Sequence, residues 1–171
     1  VDEAGNAEKS KLGTILLMHG EPTWSYLYRR MIPLFTQEGY RVLAPDLIGF
    51  GKSDKPVQMD SYSYQKHVDW MLDWVRTLQL ENIILLCQDW GSLIGLRLAT
   101  AAPHRFDRLV IANGALPTGD EDFPWVFKAW RFFARYSPWF PIEKIIAAGC
   151  TAPLGKNARK AYLAPFPDKS Y

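Results

Sequence analysis

The residues best suited to chemistry are Cys87, Gln88, Asp89, Trp90 and Gly91, which follow the apolar run Ile83, Ile84, Leu85, Leu86 and precede the helix-like stretch from Ser92 to Ala99. This order predicts a strand, a sharp turn and a helix, with Asp89 at the bend. A carboxylate that attacks a carbon bearing a leaving group forms an ester, which water can later cleave at its carbonyl. A serine attacking the same saturated carbon would form an inert ether. Asp89 therefore suits displacement at sp3 carbon. In isolation it equally suits a helix N-cap, its carboxylate accepting the first free helix N–H groups. Two features favour the chemical reading: Gly91 allows close strand-to-helix packing, and a second turn, His19, Gly20, Glu21, Pro22, closes another apolar run upstream.

The elements that must position these residues read as follows. Thr14 to Met18 is a buried strand ending at the His19 turn, and Trp24 to Glu38 has helical spacing interrupted by Pro33 and stopped by Gly39. Arg41 to Pro45 is a second strand that runs into the glycine-punctuated loop Asp46 to Ser53. The next helix is Ser63 to Leu80, with His67, Met71, Trp74 and Leu78 on one face; Arg108 to Ala112, ending at Asn113, is a fourth strand. Strand and helix signals alternate to about this point, which implies parallel crossover units and a sheet covered on both faces. From Leu116 onward the pattern is helical and aromatic: Phe123 to Tyr136, Ile142 to Gly149 and Gly155 to Leu163, broken by Pro117, Pro124, Pro138, Pro141, Pro153, Pro165 and Pro167. The expected organisation is a partial α/β core over 1–115 and a helical cap over 116–171, lying where ligand sites of open α/β sheets form.

Composition bounds the function. With 171 residues, 48% hydrophobic, and a net charge of +2, the chain can build a core and offers no basic stripe for nucleic acid. Its apolar runs are of strand length, too short to span a membrane. Cys87 and Cys150 have no metal-ligand spacing and read as reduced thiols of a cytoplasmic protein. Val1 to Leu12 is polar and lacks a leader, as expected of a chain that begins inside a longer parent.

The run His19, Gly20, Glu21, Pro22, Thr23, Trp24, Ser25, Tyr26, Leu27, Tyr28, Arg29, the run from Pro45 to Pro56, the elbow Gln88, Asp89, Trp90, Gly91 and the run from Ala164 to Tyr171 together resemble the haloalkane dehalogenases of the α/β-hydrolase superfamily. The resemblance implies hydrolytic release of halide from a small halogenated hydrocarbon, giving a primary alcohol, with no cofactor and no metal. It implies that Asp89 is the nucleophile and that the backbone N–H groups of Glu21 and Trp90 hold the oxyanion when the ester is hydrolysed. The Trp90 indole would donate to the halide. An ionised glutamate at position 21 cannot donate and would repel the anion, so the second donor should come from the cap. By resemblance it is Trp130, with Trp125 and Trp139 as competitors that spacing alone does not separate. Phe127, Phe166 and Pro167 match positions of the apolar pocket wall.

The family also uses a histidine that activates water and an acid that orients it. His19 lies in a structural turn, His67 on an apolar helix face and His104 in a loop, and Asn113 cannot serve as the anion. The expectation is a base and acid outside this chain, a sheet remnant of four strands with an open edge, and instability unless a second chain supplies further strands. Competing readings are an epoxide hydrolase, opposed by Gln88 before the aspartate and by the tryptophan-rich cap; a serine esterase, opposed by Asp89 itself; and a non-catalytic binding module of the same fold.

Overall fold

The computed structural model describes residues 1–3, 12–115, 117, 119–120, 122–137 and 139–167. Most of the polar N-terminal stretch, Pro138 and the residues from Asp168 to Tyr171 of the final motif therefore lie outside the described residues. The chain divides into two compact units, Val1–Ala115 and Leu116–Tyr171.

The first unit is built on a sheet of strands β1 (Asp2–Glu3), β2 (Thr14–Met18), β3 (Arg41–Leu43), β4 (Ile83–Gln88) and β5 (Phe106–Ala112), in the spatial order β1-β3-β2-β4-β5. β3, β2, β4 and β5 run parallel, whereas β1 pairs antiparallel with β3. All four strands expected from the sequence are present. The fifth corrects that reading: the sheet is mixed, not purely parallel. Asp2 and Glu3 carry no apolar pattern, and β1 is held by backbone pairing, by the Val1 ammonium donating to the Ala44 carbonyl at 2.9 Å and by an Arg41–Asp2 ion pair at 2.8 Å. Those forces leave no hydrophobic periodicity in a sequence.

β2 is buried at every position, as a parallel strand covered on both faces must be. Its even positions, Leu16 and Met18, join Leu43, Leu85 and Cys87 in one core, packed on Val68, Met71 and Val75 of helix α2 (Tyr64–Thr77) and Ile94 and Leu98 of α3 (Trp90–Ala101). Its odd positions, Ile15 and Leu17, join Val42 and Ala44 on the other face, against Tyr28 and Ile32. β5 forms the outer edge, and its Leu109, Val110 and Ile111 are exposed.

The stretch read as one interrupted helix is a 3-10 turn, Ser25–Tyr28, followed by the separate helix α1 (Ile32–Gln37). Pro33 stands in the first turn of α1 and so starts that helix instead of breaking a longer one, because its missing N–H would have been unpaired there in any case. In the second unit α4 (Trp125–Tyr136), α5 (Ile142–Ala148) and α6 (Lys156–Leu163) follow one another without a strand among the described residues. Among its described residues Ile146 and Tyr162 are buried, and Arg159 reaches Glu143 at 2.9 Å. Among the described residues no helix is long and apolar enough to cross a membrane, and no His, Cys, Asp or Glu group is arranged to hold a metal ion.

Candidate active site

Asp89 sits between the last residue of β4 and the first of α3 with φ 55° and ψ −129°. A non-glycine residue at positive φ is strained by roughly 1–3 kcal/mol and persists only where its surroundings fix it. The bend is fixed by main-chain and hydroxyl bonds. Ser92 donates to the Asp89 carbonyl from both its N–H, at 2.9 Å, and its Oγ, at 2.6 Å, while the Asp89 N–H donates to the Asn113 carbonyl at 3.3 Å. The carboxylate itself makes no capping bond to α3, although Asp89 holds the N-cap position. Asp89 is therefore not a side-chain N-cap. Its Oδ1 instead accepts the backbone N–H of Glu21 at 2.9 Å, across 68 residues of chain.

Two glycines allow this approach. A Cβ on Gly91 would stand 2.2 Å from the Met18 carbonyl oxygen and 2.5 Å from that of His19, so only glycine lets α3 start against the end of β2. A Cβ on Gly20 would stand 2.3 Å from both Cβ and Oδ1 of Asp89. The turn after β2 is thus packed with its backbone against the Asp89 side chain at the bend after β4.

His19 anchors the turn from beneath. It is fully buried, its Nε2 accepts the Leu47 N–H at 2.9 Å, and its Nδ1 lies 3.1 Å from the Gly20 carbonyl. Acceptance at Nε2 puts the proton on Nδ1, which donates to Gly20. Both ring nitrogens are committed, and burial drives the pKa down to about 4, so the ring stays neutral. His67 is half-buried between Tyr62 and Trp70, its pKa lowered by burial. His104 precedes β5, at the end of the parallel β4–β5 pair opposite to Asp89. None of the three is placed to act on Asp89.

Glu21 departs from the ionised group that the sequence reading assumed. Burial and then the neighbouring Asp89 charge raise its carboxyl pKa to about 7, against the opposing pull of a hydrogen bond from the Trp90 side chain. This contact between the Glu21 carboxyl and the indole was not legible beforehand. Asp46 is a second residue that sequence reasoning passed over: its carboxylate accepts the Ser25 N–H at 2.7 Å and the Lys52 N–H at 2.9 Å, tying the loop after β3 to the segment after the His19 turn. Its signal was the glycine at Gly51, where a Cβ would overlap the Asp46 carboxyl group.

Asp89, Glu21 and Trp90 are therefore brought together within the first unit. In the second unit Trp130 is half-buried on α4 against Phe133 and Phe140, with ring centroids 5.8 and 5.9 Å away. Trp125 and Trp139 are 77% and 60% exposed. Phe127 stacks on Phe123 at 4.7 Å, the Phe166 N–H donates to the Leu163 carbonyl at 2.9 Å, and Pro167 is exposed. A cavity of about 450 Å³ elsewhere in the first unit is lined by Asp2, Leu47, His67, Trp70 and Trp74 among others, and by none of Asp89, Glu21 or Trp90.

Comparison with known proteins agrees with this architecture. The chain is 57% identical over 157 residues to a haloalkane dehalogenase of Mycolicibacterium paratuberculosis, an alignment covering 92% of this chain and 52% of that one. It is 55% identical over 157 residues to a haloalkane dehalogenase of Mycobacterium marinum, covering 92% and 53%. The chain thus spans about half the length of the curated relatives it matches. Among solved structures, the tetrameric haloalkane dehalogenase of Paraglaciecola agarilytica superposes with a TM-score of 0.89 at 40% identity, over all of this chain and 56% of that one. The family model for the alpha/beta hydrolase fold matches residues 13–141. With its strand–bend–helix and predominantly parallel sheet, this chain belongs to the α/β-hydrolase fold family.

Proposed function

We propose that this chain carries the nucleophilic and halide-binding machinery of a haloalkane dehalogenase. The observation that bears most weight is the Asp89 carboxylate, free of any capping bond, with Oδ1 on the Glu21 N–H at 2.9 Å. In this reading the other carboxylate oxygen attacks the carbon of an alkyl halide, the C–O bond forms as the carbon–halogen bond breaks, and the halide leaves with the electron pair. Oδ1 becomes the ester carbonyl oxygen, already held by the donor that must stabilise it when water adds. The second donor is the backbone N–H of Trp90, the first residue of α3 and the one that follows Asp89. Such a pair of preorganised donors contributes several kcal/mol to ester hydrolysis. Water activation is assigned to a histidine other than His19, His67 and His104.

The indole of Trp90 is proposed as one halide donor and that of Trp130 as the other, with Phe127, Phe166 and Pro167 as pocket wall and residues 116–171 as cap. The outer edge of β5, which pairs with no other strand among the described residues, supports a further strand seated there, from the same or a second chain. Two free cysteines, Cys87 buried and Cys150 exposed, support a reducing, cytoplasmic setting.

The test is bromide release from a primary alkyl bromide by the full-length protein, with the first turnover run in water carrying heavy oxygen. The label is expected in the Asp89 carboxylate, while the alcohol leaves with light oxygen, and Asp89→Asn lowers bromide release by at least about a thousandfold. Label found only in the alcohol, or an unaffected Asp89→Asn variant, would refute the proposal.

A further inference from the structure

Helix α4 turns two kinds of side chain to the outside. Trp125, Ala129, Phe132 and Tyr136 recur at i, i+4, i+7 and i+11 and so share one face, on which the three rings are 77%, 67% and 55% exposed. Lys128, Arg131 and Arg135, also exposed, recur at i, i+3 and i+7 and form a row beside that face. The helix contains no acidic residue. The same combination returns just past its end, where Trp139 is 60% exposed and the Lys144 Nζ stands 5.4 Å from its ring centroid.

A contiguous apolar patch of this kind, rimmed by polar groups, marks a surface that something else covers. We propose that this face of α4 docks on an anionic lipid bilayer, the helix lying in the plane of the interface and not crossing it. Trp125 and Tyr136 each have an apolar ring with a polar tip, which suits headgroup depth, and Phe132 between them enters the acyl boundary. Lys128, Arg131 and Arg135 then meet the lipid phosphates. The inference stands apart from the dehalogenation reading: Phe127 and Trp130, given pocket and halide roles there, are half-buried on the opposite side of α4.

Charge selects this occupant. Residues 116–171 carry eight Lys and Arg against five Asp and Glu, whereas residues 1–115 carry twelve against thirteen, so the positive charge is concentrated in the unit that bears the aromatic face. Asp122, just before the helix, takes Lys128 at 3.3 Å, but both partners are exposed and such a pair is easily exchanged for a lipid phosphate. The Arg135 guanidinium lies 5.6 Å from the Tyr136 ring centroid, which puts cation and ring at one depth. A two-fold pairing of copies centred on this face would set the cation rows of the two copies against each other. An anionic bilayer offers the matching order instead, a negative headgroup layer directly over an apolar one.

The experiment is flotation of the full-length protein with vesicles of phosphatidylcholine alone or of phosphatidylcholine mixed with an equal amount of phosphatidylglycerol. Binding to the anionic vesicles is expected to be at least about tenfold tighter than to the neutral ones, and to weaken as salt is added. Phe132→Ser combined with Tyr136→Ser should weaken it at least about tenfold, as should Arg131→Glu combined with Arg135→Glu; these side chains are exposed, so thermal unfolding should be little changed. Lipids brominated on the acyl chain should quench wild-type fluorescence more than that of Trp125→Phe, which keeps the apolar face and lacks the reporting indole. No binding to anionic vesicles at low salt, equal binding by wild type and both double variants, or equal quenching with and without Trp125 would overturn the proposal. Self-association that both double variants abolish, with no vesicle binding, would give the face to a second copy and overturn it as well.

Discussion

Asp89 combines three properties that elsewhere conflict: it is strained, it follows a strand with one face buried, and its carboxylate is spared from capping the helix it precedes. Ser92 makes this combination stable by holding the Asp89 carbonyl with two bonds, so the side chain is left for other work. The two flanking glycines should then separate position from stability. Gly20→Ala drives a methyl group into the Cβ and the carboxyl of Asp89, a side chain that can give only by shifting at the bend, so activity is expected to fall at least about a hundredfold through misplacement of the Asp89 carboxylate. Gly91→Ala drives a methyl group into two main-chain carbonyls, which cannot give in this way, and is expected to destabilise the protein severely. Bromide release and urea denaturation measured on both variants check this, and equal stability losses in the two would contradict it. Asp89 and both glycines were legible in the sequence, because the bend is local and its residue types are restricted. The Glu21 carboxyl was misread as simply ionised, since its charge depends on burial and on a residue 68 positions away.

At the scale of elements, hydrophobic runs placed β2 and β4 well, and α2 announced its own start. Ser63 precedes the periodic stretch and its Oγ accepts the Lys66 N–H at 3.1 Å. Ser63→Ala is expected to cost about 1 kcal/mol of stability and to leave the proposed dehalogenation of the full-length protein unchanged. Thermal unfolding together with an activity assay checks this, and a loss of activity at full stability would mean that α2 does more than cover the sheet. Local pattern failed where an element owes its existence to its neighbours. β1 is one case, held by Arg41 and a backbone ladder to β3. The split of the Trp24 to Glu38 stretch is the other, where Pro33 marks a beginning that periodicity alone read as an interruption.

For the whole molecule, two groups of the same turn, His19 buried and Glu21 half-buried, pull stability in opposite directions with pH. His19 titrates at about 4 when folded and at 6.5 ordinarily, so the unfolded chain binds the extra proton between these values and stability falls as pH drops through that window. Glu21 titrates at about 7 when folded and at 4.5 ordinarily, so here the folded chain binds the extra proton and stability falls as pH rises through that window. Each effect amounts to up to about 3 kcal/mol. Between pH 4.5 and 6.5 the two proton counts cancel, and these groups together leave stability nearly flat. Glu21→Gln removes one side of that balance. Its stability should fall more steeply than wild type as the pH is lowered from 6.5 to 4.5, and it should exceed wild type at pH 8. Urea midpoints across the range decide the matter, and parallel curves would rule out this opposition.

The sequence by itself determined the succession of strand, turn and helix, the aspartate at the bend and the glycines around it, because these depend on residue type and on spacing within a few positions. The tertiary structure alone decided which turn faces Asp89, that its Oδ1 rests on the Glu21 N–H, and that the Glu21 carboxyl meets Trp90 and titrates near neutrality. It also decided the antiparallel edge strand. Apolar runs state that strands are buried without stating their neighbours, and the ionisation of a carboxyl is set by the water and charges around it, which exist only once the chain has folded.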